Sequence, residues 1–207
     1  MEKKKNDFIA QGSILAIASI LVRVMGMIYR IPMTAIIGDK GNGFYSYAYS
    51  VYTILLLLSS YSLPLAVSKM VSAKAQLGQW RNVKRVFICA IAFAIGIGTT
   101  FGLIVLIGAQ FFTRVFFHSE LAAIALRFMA PTILIMALLG VFRGFFQGLQ
   151  NTLPTAISQI VEGLINAIMS VVFAYFLFDF GHGMDVASGT TDLGYAWGAA
   201  GGAIGTG

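Results

Sequence analysis

The sequence predicts an all-α, polytopic membrane helical bundle, and three observations carry that prediction. Of the 207 residues, 58% are hydrophobic and only 11% are charged. A soluble domain carries roughly 25% charged residues, so this chain has too little charge to cover a water-facing surface; its mean hydropathy is +0.84. Five apolar stretches each reach the roughly 20 residues that a helix needs to cross the hydrocarbon core. Lysines and arginines also alternate from loop to loop, the pattern that orients membrane proteins.

The apolar stretches place spans at 9–37, 44–68, 86–112, 121–148 and 154–178. The first follows "MEKKKNDF" but runs well past signal-peptide length. A sixth apolar stretch begins near Gly194 and reaches Gly207; at about 14 residues it is too short for a full span. It reads as a helix cut short, and the chain as a fragment or a truncated gene product.

Lys3, Lys4 and Lys5 precede the first span, and Lys69, Lys74, Arg81, Lys84 and Arg85 lie between the second and third. The opposite loops hold Lys40 and Arg114 with Asp39, Glu120, Asp179, Asp185 and Asp192. The positive-inside rule therefore predicts a cytoplasmic N-terminus. "MVSAKAQLGQWRNVKR" reads as a basic helix on the inner surface with Trp80 at the interface. Topology accounts for this basic excess, and no nucleic-acid partner is expected.

Polar residues inside the spans form stripes. Arg23 and Arg30 are seven apart, about 20° from one another at 100° per residue, and Ser19, Gly26 and Thr34 extend their face. Tyr45, Tyr49 and Tyr52 mark the second span. On the fifth, Thr155, Gln159, Glu162 and Asn166 fall at i, i+4, i+7 and i+11. Such faces suggest a shared water-filled cavity. Arg143 and Glu162 flank the loop near Asn151, and at 1.5 Å rise their depths differ by about 5 Å, so an ion pair is open to them. Such a pair either neutralises buried charge or gates the cavity. Glu162 alone is then set against Arg23, Arg30 and Arg143, an imbalance that favours anion binding.

Pro32, Pro64, Pro131 and Pro154 fall within or at the ends of spans, where proline kinks or starts helices. Gly98/Gly102, Gly144/Gly148 and Gly194/Gly198/Gly202 are spaced for close helix packing. The single cysteine, Cys89, excludes an intramolecular disulfide and reads as packing. His118 and His182 have no ligand-spaced companions, so neither a metal nor another cofactor is expected. "GIGTTFG" follows no strand and is not a nucleotide loop. The aspartates are scattered rather than clustered, so an enzyme acting on polyprenyl phosphates is not expected.

At "FRGFFQGLQNTLPTAISQIVE", residues 142–162, the sequence resembles the polysaccharide-biosynthesis branch of the multidrug/oligosaccharidyl-lipid/polysaccharide exporter superfamily. The residues that carry the likeness are Arg143, Gly144, Gln147, Gly148, Pro154, Thr155, Ala156, Ser158, Gln159 and Glu162. "SILVRVMGMIYRIPMTAIIGDKGNGFYSYAYSVY" is similar to that family's first helix, outer loop and entry to the second helix. The likeness covers the whole chain and leans toward lipid II flippases and stage V sporulation protein B-like proteins. Two positions depart from the lipid II flippase pattern: the arginine spacing is seven rather than six, and Asn166 stands where a basic residue is frequent.

The resemblance implies that residues 1–207 form an incomplete N-terminal lobe of a MATE-like transporter fold in the bacterial cytoplasmic membrane. It implies a flippase for undecaprenyl-pyrophosphate-linked oligosaccharide, either a peptidoglycan precursor such as lipid II or a polysaccharide repeat unit. The alternatives are a cation-coupled multidrug exporter of the same superfamily and an inactive fragment. The partners implied are the lipid-linked oligosaccharide and the bilayer, with a coupling ion left open. Arg23, Arg30, Arg143, Glu162, Gln159 and Asn166 are the substrate-binding candidates, and the guanidinium forks of the three arginines suit phosphate oxygens, which they hold bidentately.

Overall fold

The structure is a computed structural model that describes the backbone of residues 2–206 and the side chains of 12–205 except Ser188. All the described regular structure is helical: α1 (Glu2–Ser59), α2 (Leu63–Gln76), α3 (Trp80–Phe117), α4 (Ala122–Gly148), α5 (Leu153–Ser188) and α6 (Leu193–Thr206). Among the described residues, four stretches are long and apolar enough to cross a membrane: Gly12–Gln76, Trp80–Phe117, Ala122–Gly148 and Leu153–Ala187.

The first of these stretches is two passes. Gly38 sits at φ 62°, ψ −175° inside α1, a conformation that only glycine adopts cheaply. The chain folds back there, so the expected outer loop at 38–43 shrinks to one non-helical residue. The returning half carries Tyr47 onto Phe117 of α3, ring centroids 4.7 Å apart, and Tyr52 onto Thr132 of α4 at 3.2 Å.

The second pass differs from the continuous span expected at 44–68. Helix α1 stops at Ser59 and α2 starts at Leu63, with Pro64 in its first turn. Proline has no N–H to donate and is favoured in the first turn of a helix, and serines offer the backbone competing bonds; the Ser59 and Ser60 hydroxyls bond to each other at 2.9 Å. Pro64 therefore begins a helix rather than kinking one. The basic surface helix expected around 70–85 is not formed either. Helix α2 buries Leu63, Val67 and Val71, the chain turns at Gly78 (φ 69°), and α3 starts at Trp80. Three buried side chains one turn apart hold α2 upright against the bundle instead of flat on a surface.

Helix α4 matches its expected bounds closely. Helix α5 exceeds them, running ten residues past 178, through Asp179 and Asp185, which the sequence placed in a loop. The reason is packing: α6 lies so close to α5 that a Cβ on Gly181 would come 2.8 Å from the Leu193 carbonyl and from Trp197 Cβ.

Glycine governs the other close approaches as well. A Cβ on Gly98 would lie 2.9 Å from Leu134 Cα, joining α3 to α4. One on Gly148 would lie 2.8 Å from the Ser68 carbonyl, joining α4 to α2. Gly198 and Gly202 of α6 meet Ile37 and Met33 of α1. The core is correspondingly rich in alanine, with Ala125, Ala174, Ala199 and Ala203 all fully buried around Leu126, Met129 and Ile133.

The turns gather at two ends. Lys40 pairs with Asp192 at 2.9 Å and Arg114 with Glu120 at 3.5 Å at one end. At the other, Gln76 and Trp80 share a cavity of about 530 Å³ with Gly148 and Gln150. This second end is the basic one, because no Asp or Glu occurs from Lys40 through Ser119.

Candidate functional site

The site is built where α4, α5 and α1 approach. Helices α4 and α5 are consecutive, yet α5 packs chiefly on α6 and α1 and α4 on α3 and α2. Polar side chains span the resulting gap. Arg143 of α4 donates through Nη2 to Glu162 Oε2 of α5, and through Nε to Ser158 Oγ at 3.3 Å. Ser158 in turn donates to the Thr155 carbonyl at 3.0 Å. The two charged side chains are 18% and 23% exposed, so each has lost most of its water, and pairing replaces that hydration. The expected pairing of Arg143 with Glu162 is therefore formed. Ser158, which was not among the candidate site residues, completes it; its signal was its place four residues before Glu162, one turn away on the same face.

The rest of the α5 stripe lines up beside this pair. Thr155 is buried, and Gln159, Glu162 and Asn166 are partly buried. Thr155 Oγ1 and Gln159 Oε1 are shielded from solvent and have no hydrogen-bond partner among the described residues. On α1, Tyr45 stacks on Tyr49 at 5.8 Å between centroids, and Tyr52 lies tilted against Tyr49 at 6.2 Å.

Arg23 and Arg30 stand differently. Both are exposed on the first half of α1, facing the outside of this chain rather than an enclosed cavity within it. Their position relative to Glu162 follows from the packing. Gly163 rests on Val22 and Met25, where a Cβ would meet Val22 Cγ1 at 3.2 Å and Met25 Cε at 3.1 Å. This half of α1 and α5 both run antiparallel to α6, since Met33 meets Gly202 and Ile37 meets Gly198, while Gly181 meets Trp197 and Gly201 meets Phe173. The two are therefore parallel. In parallel helices packed face to face, the residue after the contact on one helix and the residue before it on the other project to the same side. Arg23 follows Val22 and Glu162 precedes Gly163, so they share a side and a level. Asn166 and Arg30 continue that side about 6 and 10 Å further along.

Arg127 was also not among the candidates. It lies on α4 and is exposed, at the rim of an apolar groove of about 350 Å³ formed with Gly102, Leu106 and Pro131. The arginines in the spans thus outnumber Glu162 by one more than the sequence reading counted.

Residues 8–187 match the family described as polysaccharide biosynthesis protein. This chain belongs to that family. It is similar to the lipid II flippase MurJ of Bacillus subtilis (strain 168), 26% identical over 200 residues, which cover 92% of this chain and 37% of the relative. It is also similar to the stage V sporulation protein B of the same organism, 26% identical over 174 residues, 84% of this chain and 34% of the relative. The uncharacterized membrane protein YabM matches at 26% identity over 84% of this chain and 32% of its own length. The chain spans about a third of the length of the curated relatives it matches. No solved structure matches it. With its long apolar helices, this polysaccharide biosynthesis family member is a multi-pass membrane protein. The matched region contains all of α2 to α4, most of α1 and α5, and every candidate site residue.

Proposed function

We propose that this chain forms an N-terminal lobe of a transporter, not an enzyme, that moves undecaprenyl-pyrophosphate-linked oligosaccharide across the bacterial cytoplasmic membrane. The cargo is a peptidoglycan precursor of the lipid II type or a polysaccharide repeat unit, and the basic end faces the cytoplasm. Similarity to the lipid II flippase supports the class of cargo, and the lysine and arginine distribution supports the orientation.

The observation that carries the reading is the common side and level of Arg23 and the Arg143–Glu162 pair. Glu162 neutralises Arg143, leaving Arg23 and Arg30 to receive a pyrophosphate. Each guanidinium fork can hold two phosphate oxygens. Gln159 and Asn166 add neutral donors and acceptors for sugar hydroxyls. A second lobe opposite the exposed arginines closes the cavity. A cation-coupled drug exporter needs an accessible carboxylate for its ion, and here the Glu162 carboxylate is engaged by Arg143.

The test is binding by the chain reconstituted in nanodiscs. An undecaprenyl-pyrophosphate-linked disaccharide should bind at least tenfold tighter than undecaprenol, and Arg23→Ala should remove most of that preference. Equal binding of the two lipids, or tighter binding of a cationic dye, overturns the reading.

A further inference from the structure

Helix α2 is drawn onto α4 rather than α3. Gly144 and Gly148 of α4 leave no room for a side chain and let α2 close on them at the Pro64 backbone, the Ser68 carbonyl and the Val71 side chain, while Gly140 lies against the Pro64 ring. That preference leaves a trough between α2 and α3 of about 490 Å³, within the roughly 300–1,000 Å³ of small-ligand sites. Its walls include Val67, Met70, Val86 and Phe93, with Cys89 exposed along one side and Arg85 on its lining.

The charge is confined to one end. Going toward the α2–α3 turn, the next residues on the two trough-facing helix faces are Lys74, four after Met70, and Arg81, four before Arg85. No carboxylate occurs in the sequence from Lys40 through Ser119, and no described carboxylate pairs with Arg85. An apolar trough that ends in three cations fits an amphiphile with a long hydrocarbon part and an anionic head. Basic pockets between membrane helices hold anionic lipid headgroups in this way.

The geometry points to a structural lipid site here, occupied by an anionic glycerophospholipid with an acyl chain along Val67, Met70, Val86 and Phe93 and its phosphate at Arg85 and Lys74. The site lies on α2 and α3, away from Arg23, Arg143 and Glu162, and its occupancy is independent of the transported cargo.

Native mass spectrometry of the full purified chain tests this, using phosphatidylglycerol and phosphatidylcholine with matched acyl chains. Phosphatidylglycerol should be retained in preference, and each cation removed by Arg85→Gln or Lys74→Gln should reduce the preference about fivefold. Arg114→Gln, at the opposite end of the bundle, should leave it unchanged. Ala66→Phe, which fills the trough, should reduce retention of both lipids. In nanodiscs, a small membrane-soluble maleimide should label Cys89 more slowly in phosphatidylglycerol than in phosphatidylcholine, and Arg85→Gln should erase the difference. Equal retention of the two lipids, an equal effect of Arg114→Gln, or displacement by millimolar inorganic phosphate alone overturns the proposal. So does Cys89 protection that is identical in both lipids, which marks a protein segment in the trough.

Discussion

Arg143 on α4 donates to Glu162 on α5, and the pair bridges two consecutive helices that otherwise pack mainly on other neighbours. Removing either partner leaves a charge with little water around it, whereas removing both leaves none. Arg143→Ala and Glu162→Ala should each destabilise the chain, and the double variant should be more stable than their sum predicts by on the order of 1 kcal/mol or more. Thermal unfolding in detergent measures the cycle, and strict additivity would show that the two charges are not coupled.

The proposed phosphate-binding role of Arg23 predicts a defect in transport rather than in stability. Arg23→Ala should abolish export of the lipid-linked cargo in the native host while the protein remains inserted and abundant, because losing a charge from a span eases insertion. Arg23→Lys should restore activity only in part, since lysine keeps the charge but loses the fork. Complementation with immunoblotting is the readout. Normal growth on Arg23→Ala ends the phosphate-binding role.

Close packing of α6 on α5 sets up a contrast between two glycines. An added methyl on Gly201 would drive into the Phe173 carbonyl, whereas one on Gly96 meets open space. Gly201→Ala should cost about 1–3 kcal/mol, and Gly96→Ala should be neutral or slightly stabilising. Similar melting temperatures for the two would contradict the α5–α6 contact.

Asp185 closes the far end of α5 onto α6. Its carboxylate accepts the Leu193 and Gly194 amides at 3.0 and 2.8 Å and the Thr190 hydroxyl at 2.7 Å. Asp185→Ala should cost about 1 kcal/mol and speed hydrogen exchange at Leu193 and Gly194 above all. Asp185→Asn, which keeps one acceptor, should do less. Unchanged exchange at those two amides would remove the capping role.

Orientation is checked on a Cys89→Ser background. Gln79→Cys should be shielded from an impermeant maleimide in intact cells, and Thr191→Cys should react. Both are exposed positions, at opposite ends of the bundle. The reverse pattern inverts the topology.

The sequence by itself determined the class of this protein and most of its passes. Long apolar runs leave no fold in water, and helices satisfy their own backbone in lipid. The bounds of α4, the glycine contacts of α3, α4 and α6, and the Arg143–Glu162 pairing were legible because each depends on helical spacing or on depth counted from a nearby turn. Tertiary structure decided the rest. Gly38 replaced a loop with a single residue because Ile37, Tyr195 and Asp192 close around the turn. Helix α5 continued through two aspartates because α6 packs on that extension and Asp185 caps the first turn of α6. Cys89, in an apolar run, proved exposed because α2 went to α4 and left its other flank open. The side on which Arg23 stands relative to Glu162 was likewise out of reach of periodicity. A helix's own period says which residues share its face, but only the packed neighbour, here Gly163 on Val22 and Met25, says where that face points.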